Sequence, residues 1–193
     1  MPRPKEFNPD DALDHAMHVF WHKGYEATSM EDLLAAMHLN RGSLYDTFGG
    51  KRQLFVKALD RYCQGIVAPL FSRLTQPGPA LPLLRQFIRG MIDGALADPQ
   101  RRGCLLANTV MELAPHEGDI ADQLKQALRM GEEALLSLLT RARNQGELSA
   151  EQDPRALAQF FTTMMQGLIV MIKSGAAKEA IVQAAEIGLR VVE

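Results

Sequence analysis

The stretch from Thr28 to Phe48 limits most tightly what this chain can become. It predicts two short helices joined by a tight turn. Thr28 or Ser29 can cap the first, and Glu31 stands three residues after Thr28, the spacing of a capping box. Leu33, Leu34 and Met37 supply an inward stripe at helical intervals, and the pattern breaks at His38-Leu39. Asn40 then caps a second helix carrying Arg41, Gly42, Ser43, Leu44 and Tyr45. That helix is too short and too polar to serve as a core element. It offers a donor-rich face just past its N-terminus, the geometry needed to enter a major groove.

Gly24-Tyr25, Thr28-Ser29, Leu33, Arg41-Gly42-Ser43-Leu44-Tyr45, Phe48 and Lys51 together resemble the helix-turn-helix of TetR-type bacterial transcriptional regulators. Two departures are small: Asn40 stands where Ser or Thr is commoner, and Gly49-Gly50 precede Lys51. Gly42 and Ser43 carry little bulk, so backbone can approach base edges, and Arg41 can fork onto a guanine. Tyr45 and Lys51 look like phosphate contacts, as do Thr28 and Ser29 at the start of the preceding helix. The partner is then double-stranded operator DNA, and the location the bacterial cytoplasm.

Charge alone would not have pointed there. The chain carries a net charge of −2, and residues 1–62 hold eight Lys and Arg against nine Asp and Glu. A basic domain is the usual footprint of a nucleic-acid binder. Placement is more favourable: Arg3, Lys5, Arg41, Lys51 and Arg52 gather around the motif, whereas Asp10, Asp11, Asp14 and Glu26 lie on helix 1 or at its end. Modest non-specific affinity follows. The 47% hydrophobic content suits a globular chain, no stretch reads as a membrane span, and no cleavable signal precedes Phe7. Cys63 and Cys104 are too few and too far apart for a disulfide framework.

Along the rest of the chain only helical patterns appear, giving an all-α expectation of about nine helices. Asn8-Pro9 opens helix 1, whose buried stripe is Leu13, Ala16, Met17 and Phe20 and whose end is Gly24. His15, His18 and His22 fall together on the other face and read as solvated rather than as a metal site. Lys51 opens a long helix that Pro69 should kink or end, and Gln76-Pro77-Gly78-Pro79 is the clearest linker. The expected division is a DNA-binding domain at 6–66, with its helix-turn-helix at 29–48, and a ligand-binding and dimerisation domain at 76–193. Within the latter, helices are expected from about Leu81 to Leu96, after Asp98-Pro99, over 119–144, from Pro154 to Lys173 and from Ala177 to Val192, with a turn at Pro115 to Gly118.

Residues 157–172 are apolar nearly all round, and a helix of that kind needs partners on two sides. Gly167, Ala180, Ala184 and Gly188 would permit close approach of a second copy, which resembles the family's four-helix dimer interface. A homodimer on a palindromic operator is expected. Ten methionines suit an adaptable hydrophobic pocket for a small-molecule effector. Its candidate lining is Met91, Cys104, Asn108, Met111, Glu112, Met130, Phe161 and Met165; Thr109 and Gln166 are further candidate orienting groups. Cys104 follows Arg101-Arg102-Gly103, which favours a thiolate; with Lys173 it looks similar to family members that sense electrophiles or oxidants through a thiol. An inert small side chain is the other reading. No phosphate loop, nucleophile elbow or HExxH is present, so catalysis, a metal and a cofactor are not expected. A ligand-independent architectural DNA binder is the remaining alternative.

Overall fold

The computed structural model describes residues 7–113 and 118–193. Arg3 and Lys5, and most of the turn expected at Pro115 to Gly118, lie outside them. The described residues form nine α-helices and no strand. Helices α1 (Pro9–Lys23), α2 (Met30–Met37) and α3 (Arg41–Phe48) are followed by a long α4 at 51–72. Then come α5 (Ala80–Ala97), α6 (Leu105–Leu113), α7 (Gly118–Asn144), α8 (Pro154–Lys173) and α9 (Lys178–Leu189).

Helix α4 keeps going where Pro69 was expected to kink or end it. Proline has no N–H to give the carbonyl four residues back, and its ring crowds that carbonyl. The backbone answers by widening: Cys63–Val67 form a π turn in which the Ala68 N–H reaches the Cys63 carbonyl, and the helix resumes through Ser72. The linker at 76–79 is pinned down. Arg141 donates to the carbonyls of Leu74 and Gln76, and the Glu147 carboxylate accepts from Ala80 N at 2.7 Å and Leu81 N at 2.9 Å, capping α5 from outside.

Asp98-Pro99 does not start a helix. Asp98 accepts from the backbone N–H groups of Gln100 and Arg102 and from Arg102 Nε, which closes a turn, and Gly103 follows at φ +71°. Helix α6 therefore begins only at Leu105.

Two cores form, and they do not divide at the linker. The first gathers Ala16, Phe20, Leu33, Leu44, Leu54, Phe55 and Leu59 from α1–α4, but also Leu105, Leu106 and Leu113 of α6 and Ile120 and Leu124 of α7. The second joins α5, the later part of α7, α8 and α9 around Leu84, Ile88, Leu135, Leu139, Phe161, Leu168 and Leu189. Helix α7 has one end in each.

Against the expectation that no stretch reads as a membrane span, helix α8, with 20 residues, is long and apolar enough to cross one by length and composition. It packs instead between α7 and α9. Phe161, Leu168 and Ile172 are buried, whereas Phe160, Val170 and Met171 are exposed.

Candidate nucleic-acid interface and interior cavity

The cap of α2 belongs to Ser29, not to Thr28 with Glu31. Ser29 Oγ accepts from Asp32 N and the Asp32 carboxylate accepts from Ser29 N, each at 3.0 Å. The Lys23 ammonium and both Ser29 groups hold the Asp32 carboxyl down to about 2. Thr28 is buried, its hydroxyl donating to the Gly24 carbonyl at 2.5 Å, so its side chain braces the loop rather than facing a phosphate. His38 makes the turn in the left-handed conformation at φ 53°, and Asn40 Oδ1 then caps α3 by accepting from Ser43 N at 2.8 Å.

Helix α3 buries Leu44 and Phe48 and turns Arg41, Gly42 and Tyr45 outward. Arg41 lies 3.1 Å from Glu31, with both side chains well exposed. Such a surface pair holds a guanidinium by about 0–1 kcal/mol, weakly enough for DNA to take it over. Lys51 is engaged from behind: its Nζ sits 4.4 Å from the Tyr25 ring centre and 3.4 Å from the Glu26 carbonyl.

The 24–26 loop that Lys51 touches is gripped on its other side by Glu112. One carboxylate oxygen accepts from Tyr25 N at 3.0 Å and the other from Glu26 N at 2.8 Å. Gly24 leaves room for this; a Cβ there would lie 2.8 Å from the carboxylate, and its φ is +83°. A second tie joins the same elements, since Trp21 Nε1 donates to the Gly103 carbonyl at 2.9 Å just before α6.

Between these ties and the second core lies a cavity of about 530 Å³. Trp21, Tyr62, Ile66 and Leu106 wall it from the side of the first core; Leu70, Phe71, Met91, Met165 and Ile169 wall it from the side of the second. Gly131 also belongs to the wall, and a Cβ there would come within 2.9 Å of the Phe71 ring. Tyr62 is buried, and that burial, with the neighbouring Cys104, pushes its phenol well above the ordinary range.

Of the residues expected to line a pocket, Met91, Cys104 and Met165 do, joined by Gln166. The others are elsewhere. Met111 and Met130 are exposed, Phe161 is sealed in the second core, and Glu112 is spent on the 24–26 loop. Asn108 donates to the Arg102 carbonyl and accepts from Lys173 Nζ at 2.7 Å, a clip between α6 and α8. Thr109 is buried and bonded to Leu105 O. Helical spacing gives a face, not the neighbour that face meets, and these misplacements share that origin. Trp21, Tyr62 and Thr162 escape sequence reasoning. A usable signal exists: Gly90 and Gly94 stand one turn apart inside α5, where each glycine costs about 1 kcal/mol against alanine.

The cations expected to activate Cys104 have other work. Arg102 pairs with Asp98 at 3.0 Å, lies 4.0 Å over the Trp21 ring and meets His18 Nδ1 at 3.1 Å. Arg101 Nη1 lies beside Gly175, and Lys173 is on Asn108. His18 stacks beside Trp21 at 6.2 Å between ring centres and is exposed, as are His15 and His22, the solvated face expected.

Residues 12–58 match the family described as bacterial regulatory proteins of the tetR family, and residues 80–187 match the tetracyclin repressor-like C-terminal domain. The chain is 34% identical to the uncharacterised HTH-type transcriptional regulator YezE of Bacillus subtilis over the whole of both chains. It is also 34% identical to the HTH-type transcriptional repressor ComR of Escherichia coli, over 97% of this chain and 90% of that one. Among solved structures, a cysteine mutant of the TetR family regulator CifR complexed with operator DNA superposes with a TM-score of 0.88 at 30% identity, covering 97% of this chain and 98% of that one. With both halves matched and α3 presented as such a reader requires, the chain belongs to the TetR family of DNA-binding transcriptional regulators.

Proposed function

We propose that this regulator is a homodimeric repressor that binds a palindromic operator through α3 and lets go when a small molecule fills the interior cavity. The observation that carries this reading is the shared wall: Trp21 of α1 and the π turn of α4 line the same space as Met91 and Met165 of the distal helices. A ligand there touches both the reading head and the body, so it can favour one head spacing over another by its differential affinity, typically about 1–3 kcal/mol. That ComR is a repressor and that CifR is complexed with operator DNA support the choice.

Dimerisation is favoured by the apolar stripe on α8 and α9. Met171 is 51% and Ile187 56% exposed, with Phe160, Val170 and Val182 beside them, and Gly167 has open space in front of it. Two copies meeting across this face would set two α3 helices on one side of a duplex, with half-sites about 34–36 Å apart or a multiple of that. The test is light scattering with and without a palindromic duplex selected by the protein from a random pool. A particle of twice 21.4 kDa that binds one duplex is expected; a monomer with full affinity for single half-sites would refute the dimer.

Thiol sensing is the second reading, favoured by the position of Cys104 on the cavity wall. An electrophile seated in the cavity would alkylate it and stay. Release of the operator by the electrophile from wild type but not from Cys104→Ser is the outcome that would select it.

A further inference from the structure

Most residues that line the cavity are buried or half-buried, and the exceptions fall on one seam. Gly65, Pro69 and Arg73 stand one turn apart along α4 and the turn that follows it, and Gly90 and Gly94 stand one turn apart on α5. Among the described lining residues only these five are exposed, so the cavity reaches solvent between α4 and α5. A Cβ at Gly65 or Gly94 would meet nothing within 4 Å, and one at Gly90 would meet the Arg73 guanidinium at 3.9 Å. Arg73 therefore reaches across this mouth toward α5.

The charged groups of the lining are Arg73, Asp98 and Arg102. Asp98 and Arg102 lie 3.0 Å apart and neutralise each other, and Arg102 also covers the Trp21 ring. Arg73 has no ion pair and no side-chain hydrogen bond among the described residues. Deeper in stand the Tyr62 phenol, which burial keeps neutral, the Cys104 thiol and the Gln166 amide, against aromatic and aliphatic side chains. The lining is left with one positive charge, placed at the mouth. A cation entering there would meet a like charge. A neutral molecule would leave the guanidinium to water. A carboxylate matches the planar fork with two oxygens, and its apolar remainder can go inside.

We propose that the cavity takes organic acids with one carboxylate on an apolar body, the carboxylate held by Arg73 at the mouth and the body seated among Phe71, Met91, Met165 and Ile169. This rests on the effector reading only where it concerns DNA; binding stands by itself. The volume of about 530 Å³ is of the size that holds one small ligand.

The test titrates octanoate, octanamide and octylammonium into the full-length protein by calorimetry at neutral pH and low salt. The pair 2-naphthoate and 2-naphthamide repeats the comparison on a rigid frame. Each acid is expected to bind about fivefold more tightly than its amide, with octylammonium weakest. Arg73→Met should bring the acids down to the level of the amides, and Arg73→Lys should keep part of the preference, as a charge without the fork. The Arg73 guanidinium is unpartnered, so Arg73→Met should melt with wild type. Arg89 lies in the outer groove beside Gly90 and is held by Glu186 at 2.8 Å, so Arg89→Met should keep the full preference. Saturating octanoate should slow alkylation of Cys104 by iodoacetamide, and acetate, too small to fill the space, should not. Equal binding of acids and amides, a preference that survives in Arg73→Met, no binding by either acid, or Cys104 labelling indifferent to octanoate would overturn the proposal. If the preference depends on Arg73 but neither acid changes the affinity for the selected duplex, the ligand class stands and the effector reading falls.

Discussion

Glu112 does at the level of one side chain what no local pattern could announce. Its presence on an otherwise apolar helix marks it as anomalous, but the partners, Tyr25 N and Glu26 N, lie more than eighty residues back in the chain. The anomaly was legible and the contact was not. Truncating it leaves one part-buried N–H, that of Tyr25, without its acceptor and hands the exposed Glu26 N–H to water, at about 1 kcal/mol. Glu112→Ala is therefore expected to lower stability by that amount in denaturant titration, to speed hydrogen exchange at the Tyr25 and Glu26 amides, and to weaken operator binding. Unchanged exchange at both amides would show that the grip does not hold in solution. Cysteine chemistry is a second matter of single residues. Burial, then the Asp60 charge and Cys104, push the Cys63 thiol up to about 11. At pH 8 only about one such thiol in a thousand is ionised. Limiting iodoacetamide, read by peptide mass, is expected to mark Cys104 well before Cys63; equal labelling would mean that the burial of Cys63 is transient.

Helix starts were readable wherever a side chain caps its own helix. Asn8, Asn40 and Asp153 each accept from an N–H two or three residues on, and their helices begin where the sequence placed them. Asp98-Pro99 offers the same signal as Asp153-Pro154 but closes a turn, because Arg102 returns to Asp98 through both backbone and guanidinium. Local signals decide a cap; a side chain returning from beyond the next turn decides whether a helix follows. The capping box of α2 gives an acid-side prediction. The folded Asp32 carboxyl sits at about 2 against an ordinary 3.8, so its contribution is complete above about pH 4 and is lost as pH falls through 2. Melting temperatures of wild type and Asp32→Asn should therefore converge between pH 5 and pH 2.5. A constant gap across that range would assign the cap to Ser29 alone.

The all-helical architecture, the position of the reading head and the two-faced nature of α8 were legible because each rests on periodicity or on a motif held within twenty residues. The cavity was not, because its walls are drawn from six helices far apart in the chain. Nor was the allegiance of α6 and the start of α7, which a linker at 76–79 would assign to the distal half. Leu105, Leu106, Leu113, Ile120 and Leu124 complete the core of the reading head instead. This bears on how such chains can be recombined. A fragment stopping at residue 75 would carry the whole DNA-reading motif yet lack one side of its own interior. It is expected to melt without a cooperative transition in calorimetry, and a fragment extended to residue 130 to recover one. The same boundary governs chimaeras: a reading head moved onto another body at the linker would bring an unmatched surface to α6, whereas an exchange made within α7 would carry its interior along. The inheritable unit of specificity in this chain therefore runs past residue 75 through the linker, α5, α6 and the first part of α7.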